Sequence, residues 1–216
     1  MGTSSSDPVW YACYGSNCSW ARFATYLTGG VPAGASMAHP GARDPSLPRE
    51  KQPTVFGSQI CFTGYAVTWD GAPAFLEHQA SPEGAWGRRY LISASQFADV
   101  FDQENRRLPA TTTLPELADL EPETLVVMGN GKYDALVILE PVAGVPCLSF
   151  TSPDPPERRP AAAPSAAYLS TIVRGLLAGG TTSPSDLADH LLRASGVALA
   201  WDRDSLRSLI AAEAAS

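Results

Sequence analysis

Lysine is nearly missing from this chain: Lys51 and Lys132 are the only two among 15 basic residues, and 22 acidic ones leave a formal charge of −7. A surface of that sign excludes general nucleic-acid binding, which needs basic contacts to phosphates. No apolar run approaches the roughly 18 residues that a membrane span requires. The start, Met1 to Pro8, has neither a basic head nor an apolar stretch. These absences predict a soluble, cytoplasmic protein with no membrane partner. Cys13, Cys18, Cys61 and Cys147 contain no Cys-x-x-Cys pair, which suggests neither a disulfide framework nor a zinc site. His39, His78 and His190 stand too far apart for a His-x-x-x-His metal motif. There is no Gly-x-Ser-x-Gly elbow, since Ser16 lies in Gly15-Ser16-Asn17-Cys18, and this removes the main signal for a serine hydrolase. The preference for Arg over Lys, with abundant Ala, reflects the codons of a GC-rich genome and not chemistry.

What is present is enough for a core: 216 residues, 44% of them hydrophobic, exclude whole-chain disorder. Trp10 to Tyr14 reads as a strand ended by the turn Gly15-Ser16-Asn17, with a helix over Ser19 to Leu27. Five prolines between Gly29 and Pro53 predict a long loop. Strands are expected over Val55–Val67, Ala72–Glu77, Ala85–Ile92, Glu123–Met128, Tyr133–Leu139 and Val145–Thr151, with Gly129-Asn130-Gly131 as a hairpin signal. Ser93 with Gln96 forms a capping-box signature for a helix reaching Glu104, and Asn105–Pro122 reads as an insertion loop. A proline-rich stretch then leads into helices over Ser165–Ala178, Ser183–Ala194 and Ser205–Ala214. Strands first and helices last, without βαβ alternation, predict an α+β fold.

Two features could carry chemistry. On a helix, Glu104 continues the stripe of Phe97, Val100 and Phe101, so its carboxylate either points inward or ends the helix and bends out to solvent. Burial among apolar groups would raise its pKa and suit it to general acid/base work. Gly15-Ser16-Asn17 after a strand is either an ordinary turn or a set of amides facing a carboxylate or oxyanion. Cys18 reads as a small packed side chain.

Four motifs in series resemble the gamma-glutamylcyclotransferase-like family. They are Tyr14-Gly15-Ser16-Asn17 after the first strand, and Trp86-Gly87 leading through Phe97 to Glu104. Gly131-Lys132-Tyr133 and Pro164-Ser165-Ala166-Ala167-Tyr168 follow. Three departures stand out: Asn105 where the family usually has Gly, Cys18 in place of Leu or Met, and a longer stretch from Asn105 to Asn130.

The resemblance implies a mixed β-barrel of five to six strands with flanking helices and a helical C-terminal part. The expected organisation is a disordered tail over 1–8 and a single domain over 9–216, with long loops at about 29–53 and 105–122. It implies Glu104 as catalytic acid/base, and Tyr14, Gly15, Ser16, Asn17, Tyr133 and Tyr168 as substrate-binding residues. The implied reaction is attack by a γ-glutamyl amine on its own amide, releasing 5-oxoproline and an amine, without metal or cofactor. The partner would be a small or peptide-like amide. Alternatives are an acyl-transfer or hydrolytic relative, or a non-catalytic module that binds an amino-acid-like metabolite.

Overall fold

The computed structural model describes residues 4–32, 38–180 and 183–215. Residues 1–3 of the expected tail and 33–37 of the expected first loop lie outside them, as do 181–182 and 216 of the expected domain. Eight strands are described: β1 (Pro8–Cys13), β2 (Glu50–Val55), β3 (Ser58–Phe62), β4 (Ala74–Ala80), β5 (Trp86–Ser93), β6 (Thr124–Val127), β7 (Ala135–Val142) and β8 (Val145–Thr151). The α-helices are α1 (Trp20–Thr28), α2 (Ala94–Glu104), α3 (Ala166–Ala178), α4 (Pro184–Arg193) and α5 (Arg203–Ala214). Six strands form a mixed sheet in the order β2-β5-β1-β8-β7-β6, with β1 and β8 parallel and β8-β7-β6 antiparallel. β3 and β4 form a separate antiparallel pair. The expected α+β class holds, with six strands in a mixed sheet that ends at β2 and β6 and does not close on itself.

Local readings differ from the structure at β2 and β3. β2 begins inside the stretch expected to be a loop, includes Pro53 and runs two residues beyond it. Its place at the end of the sheet order explains the tolerance, because an edge strand can lack one ladder donor. The single strand expected over Val55–Val67 is instead broken after Val55 and ends at Phe62. Phe56 turns aside to donate to the Ala85 carbonyl (2.8 Å), while the Gly57 carbonyl accepts from Ser81 (2.7 Å). No helix among the described residues is long and apolar enough to cross a membrane.

The chain sorts into two compact units. The first comprises 1–12, 21–52 and 89–153. Its core is aromatic: Tyr11 packs on Phe23 (5.3 Å), Phe97 (5.7 Å) and Phe150 (5.3 Å), and Phe23 stacks on Tyr90 at 4.3 Å. Such pairs add about 0.5–1.5 kcal/mol each beyond the area they bury. α2 supplies Phe97, Val100 and Phe101, all fully buried, so the apolar stripe read from spacing is the face that meets this core. Ser93 and Gln96 complete the capping box at its start.

The second unit comprises 13–20, 53–88 and 154–216. Leu169, Ile172, Val173 and Leu176 of α3 are buried, as are Leu187 and Leu191 of α4 and Leu206 and Ile210 of α5. Ser165 and Ser183 cap α3 and α4 with their side chains, as their sequence positions predict. α5 starts two residues earlier than expected because Asp202 is its cap, and Ser205 is the reciprocal partner three residues on.

Candidate active site

The residues singled out by sequence divide between the units. Glu104 and Tyr133 belong to the first, and Tyr14, Gly15, Ser16, Asn17 and Tyr168 to the second.

In the first unit Glu104 is the last residue of α2 and is half-buried. It neither enters the apolar core nor swings fully into water. Its carboxylate hydrogen-bonds the hydroxyl of Tyr26, a buried residue of α1. Burial, and then the negative charge of Glu104, hold the Tyr26 hydroxyl well above the ordinary tyrosine pKa, with Arg22 pulling the other way. Tyr26 therefore stays protonated and serves as the donor. The Arg22 guanidinium lies 6.0 Å from the Tyr26 ring centre, and the His39 ring packs on the Tyr26 ring with centres 3.8 Å apart. Burial, and then the Arg22 charge, push His39 down to about 4, so the imidazole is neutral at neutral pH.

His39 reaches this position through a paired neck in the first long loop. Gly30 and His39 exchange two backbone hydrogen bonds, of 3.0 and 2.8 Å. Two further carboxylates of α2 tie loops to the helix. Asp99, fully buried, accepts from the Arg43 amide (2.8 Å), the Arg43 guanidinium (3.0 Å) and the Ala110 amide (3.0 Å). Asp102 accepts from the amides of Thr111 (2.9 Å) and Thr112 (3.1 Å) and from the Thr112 hydroxyl. Both expected long loops are thus anchored to the helix that ends in Glu104. The Gln103 side chain adds a bond to the Tyr26 carbonyl at 2.9 Å, so α1 and α2 are fixed next to the Tyr26–Glu104 contact.

Asn105, the departure from the usual Gly, has a structural task. Its side-chain oxygen accepts from the Tyr133 amide (3.0 Å) and its side-chain nitrogen donates to the Tyr133 carbonyl (3.2 Å). Tyr133 is thereby fixed to the residue after Glu104, and its ring meets Phe150 edge-on at 6.1 Å. The buried Asp134 accepts from the Gly131 amide (2.9 Å) and pairs with Arg107.

In the second unit Tyr14-Gly15-Ser16-Asn17 opens a single 3-10 turn over Ser16–Cys18. The amides of Cys18 and Ser19 close the turn on the carbonyls of Gly15 and Ser16, both at 3.0 Å. Tyr168 lies beside it: a Cβ on Gly15 would sit 3.0 Å from the Tyr168 hydroxyl. That hydroxyl also accepts from the Ala74 amide (3.2 Å), and its ring packs against Trp69 at 4.6 Å. Two glycines let other elements approach this loop. A Cβ on Gly175 of α3 would lie 2.2 Å from the Cys18 carbonyl carbon, and one on Gly87 of β5 2.3 Å from the Cys13 carbonyl oxygen. The Trp-Gly motif is further tied to α4, because the Trp86 amide donates to His190 Nε2 (3.1 Å) and the two rings stack at 4.1 Å.

Glu104 and Tyr133 thus share the first unit, and the Tyr14–Asn17 loop and Tyr168 the second. Arg22, Tyr26, His39 and Trp69, which the motifs do not name, pack beside these residues. Tyr26 and Arg22 stand on the expected first helix, but only the Gly30–His39 neck reveals which residues they meet.

No family model matches the chain. A curated relative, histone deacetylase 5 of Arabidopsis thaliana, is 29% identical over 202 residues. The alignment takes in 86% of this chain but 30% of that protein, so the chain spans less than a third of the relative's length. Among solved structures, a gamma-glutamyl cyclotransferase matches with a TM-score of 0.54 at 14% identity, over 95% of this chain and 99% of that one. An uncharacterized human protein matches with a TM-score of 0.49 at 16% identity, over 81% and 82% of the two chains. The fold is that of gamma-glutamyl cyclotransferase.

Proposed function

We propose that the chain is an amide-cleaving cyclotransferase acting on a γ-glutamyl or similar amino-acyl amide. The observation that carries this reading is the half-buried Glu104 carboxylate, held at the end of α2 by the Tyr26 hydroxyl. In the proposed reaction Glu104 removes a proton from the substrate α-amine. The amine nitrogen attacks the γ-carbonyl carbon, closing a five-membered ring. The C–N bond to the leaving amine then breaks, and Glu104 returns the proton to that amine as 5-oxoproline is released. Nucleophile and electrophile belong to one molecule, so holding the substrate folded replaces a bimolecular encounter. Well-oriented systems of that kind reach effective molarities of about 10⁵ M or more.

Roles for the other residues follow from the motif resemblance. The amides of Gly15, Ser16 and Asn17 would hold the substrate carboxylate or the oxyanion, and Tyr14 would shape their loop. Tyr133 and Tyr168 would hydrogen-bond the substrate. Tyr26 would orient Glu104 without touching the reacting atoms. The test is a mass-spectrometric screen of γ-glutamyl amines and peptides. Free 5-oxoproline supports the reading; free glutamate would assign hydrolysis, and saturable binding without turnover would assign a binding module.

A further inference from the structure

Cys13 and Cys18 bracket the Tyr14–Asn17 loop, and both are buried. Their sulphur atoms lie 3.9 Å apart. Each thiol is aimed at a backbone carbonyl: Cys18 Sγ donates to the Cys13 oxygen (3.2 Å) and Cys13 Sγ to the Arg88 oxygen (3.4 Å). The backbone at both ends is closely packed. A Cβ on Gly87 would lie 2.3 Å from the Cys13 carbonyl oxygen, and one on Gly175 2.2 Å from the Cys18 carbonyl carbon. The two sulphurs are therefore held as neighbours by packing and are not a chance meeting of mobile side chains.

We propose that Cys13 and Cys18 are an oxidative modification site, at which a peroxide converts the two thiols into a reversible intramolecular disulfide. The balance is simple. One sulphur attacks a peroxide oxygen, the O–O bond breaks, and a sulfenic acid and one water result. The second sulphur displaces the sulfenic oxygen as another water. Both S–H bonds are lost, one S–S bond forms, and two electrons pass to the peroxide. The sulphurs close from 3.9 Å to the ~2.05 Å of a disulfide. The ring formed contains the whole of Tyr14-Gly15-Ser16-Asn17, and closing it breaks both thiol–carbonyl hydrogen bonds, so oxidation would reshape that loop. Burial, and then the Cys18 neighbour, hold the Cys13 thiol well above its ordinary pKa, which predicts slow reaction near neutral pH and faster reaction as pH rises. The modification does not depend on which reaction the chain performs.

The test uses the intact, folded chain treated with hydrogen peroxide, quenched, unfolded and alkylated with N-ethylmaleimide. Both cysteines fall in the tryptic fragment 1–22, since Arg22 is the first basic residue. The expected result is a fragment about 2 Da lighter than the reduced, unlabelled form, with no alkyl groups. It should regain two labels after dithiothreitol, while Cys61 and Cys147 remain labelled throughout. Full labelling of fragment 1–22 after peroxide would overturn the proposal. So would a bridge from Cys13 or Cys18 to another cysteine or chain, or over-oxidation without the 2 Da loss. The wild-type measurement needs no variant to fold; Cys18→Ser adds a control in which the reversible cross-link must disappear.

Discussion

The Tyr26 hydroxyl donates to the Glu104 carboxylate, joining α1 to the final residue of α2. The contact lies in a cluster with Arg22 and His39, residues far from Glu104 in sequence. Tyr26→Phe keeps the ring, its packing on His39 and its burial, and removes only the donor. A hydrogen bond to a charged group contributes about 1.5–3 kcal/mol. We therefore expect kcat to fall roughly ten- to hundredfold, with KM little changed and the circular dichroism spectrum intact. Wild-type turnover in Tyr26→Phe would remove the positioning role assigned to it.

Asn105→Ala leaves both backbone groups of Tyr133 without their side-chain partner. Unmade hydrogen bonds at buried or partly buried groups cost about 1–3 kcal/mol. Chemical denaturation should show a loss in that range, and the loss should be similar in Asn105→Gly because neither residue can bridge to Tyr133. An unchanged denaturation midpoint would mean that the clamp contributes nothing net.

The glycines beside the Tyr14–Asn17 loop separate close packing from open space. Gly175→Ala places a methyl 2.2 Å from the Cys18 carbonyl carbon, where backbone atoms must move, whereas a Cβ at Gly57 meets nothing within 4 Å. Overpacking of this kind costs about 1–3 kcal/mol or more. Thermal melts should show Gly175→Ala clearly destabilised and Gly57→Ala close to wild type.

Two histidines set an acid limit on stability. His39 and His190 both titrate at about 4 in the folded chain, chiefly through burial, against an ordinary value of 6.5. Between those values the unfolded chain binds more protons than the folded one, so their contribution is fully present above pH 6.5 and is lost as pH falls toward 4. Protonating His190 Nε2 also removes the acceptor of the Trp86 amide. Urea midpoints should decline from pH 6.5 to 4. In a His190→Gln, His39→Gln double variant the slope over that window should be visibly shallower.

The parts of the fold that rest on local chemistry were readable in advance. The Ser93–Gln96 capping box, the Phe97, Val100 and Phe101 stripe and the serine caps of α3 and α4 each follow from side chains within a few residues of one another. β2 was hidden because Pro53 argues against a strand unless the strand is known to lie at a sheet edge. The β7–β8 turn was equally obscure: Ala143 and Gly144 both adopt positive φ, and alanine gives no sign of that conformation. The motifs name Glu104 and Tyr133, which fall in the first unit, and Tyr168 and the Tyr14–Asn17 loop, which fall in the second. Asp99 and Asp102 stayed unread because a carboxylate on a helix is ordinarily solvated, and here the partners that justify burial come from loops at 41–44 and 110–112. Tyr26 and His39 stayed unread because their meeting depends on the Gly30–His39 pairing, a tertiary event without a local signature.

The central claim is that Glu104 moves the proton during amide cleavage. The direct measurement is 5-oxoproline release from a γ-glutamyl amide by wild type and Glu104→Gln, at equal folded concentration. Glutamine keeps the shape of the side chain and an oxygen to accept from Tyr26, but it cannot accept and return a proton. The account predicts steady release by wild type and a loss of at least about a hundredfold in the variant, consistent with general acid/base contributions of about 10²–10⁴. Undiminished release by Glu104→Gln would contradict it.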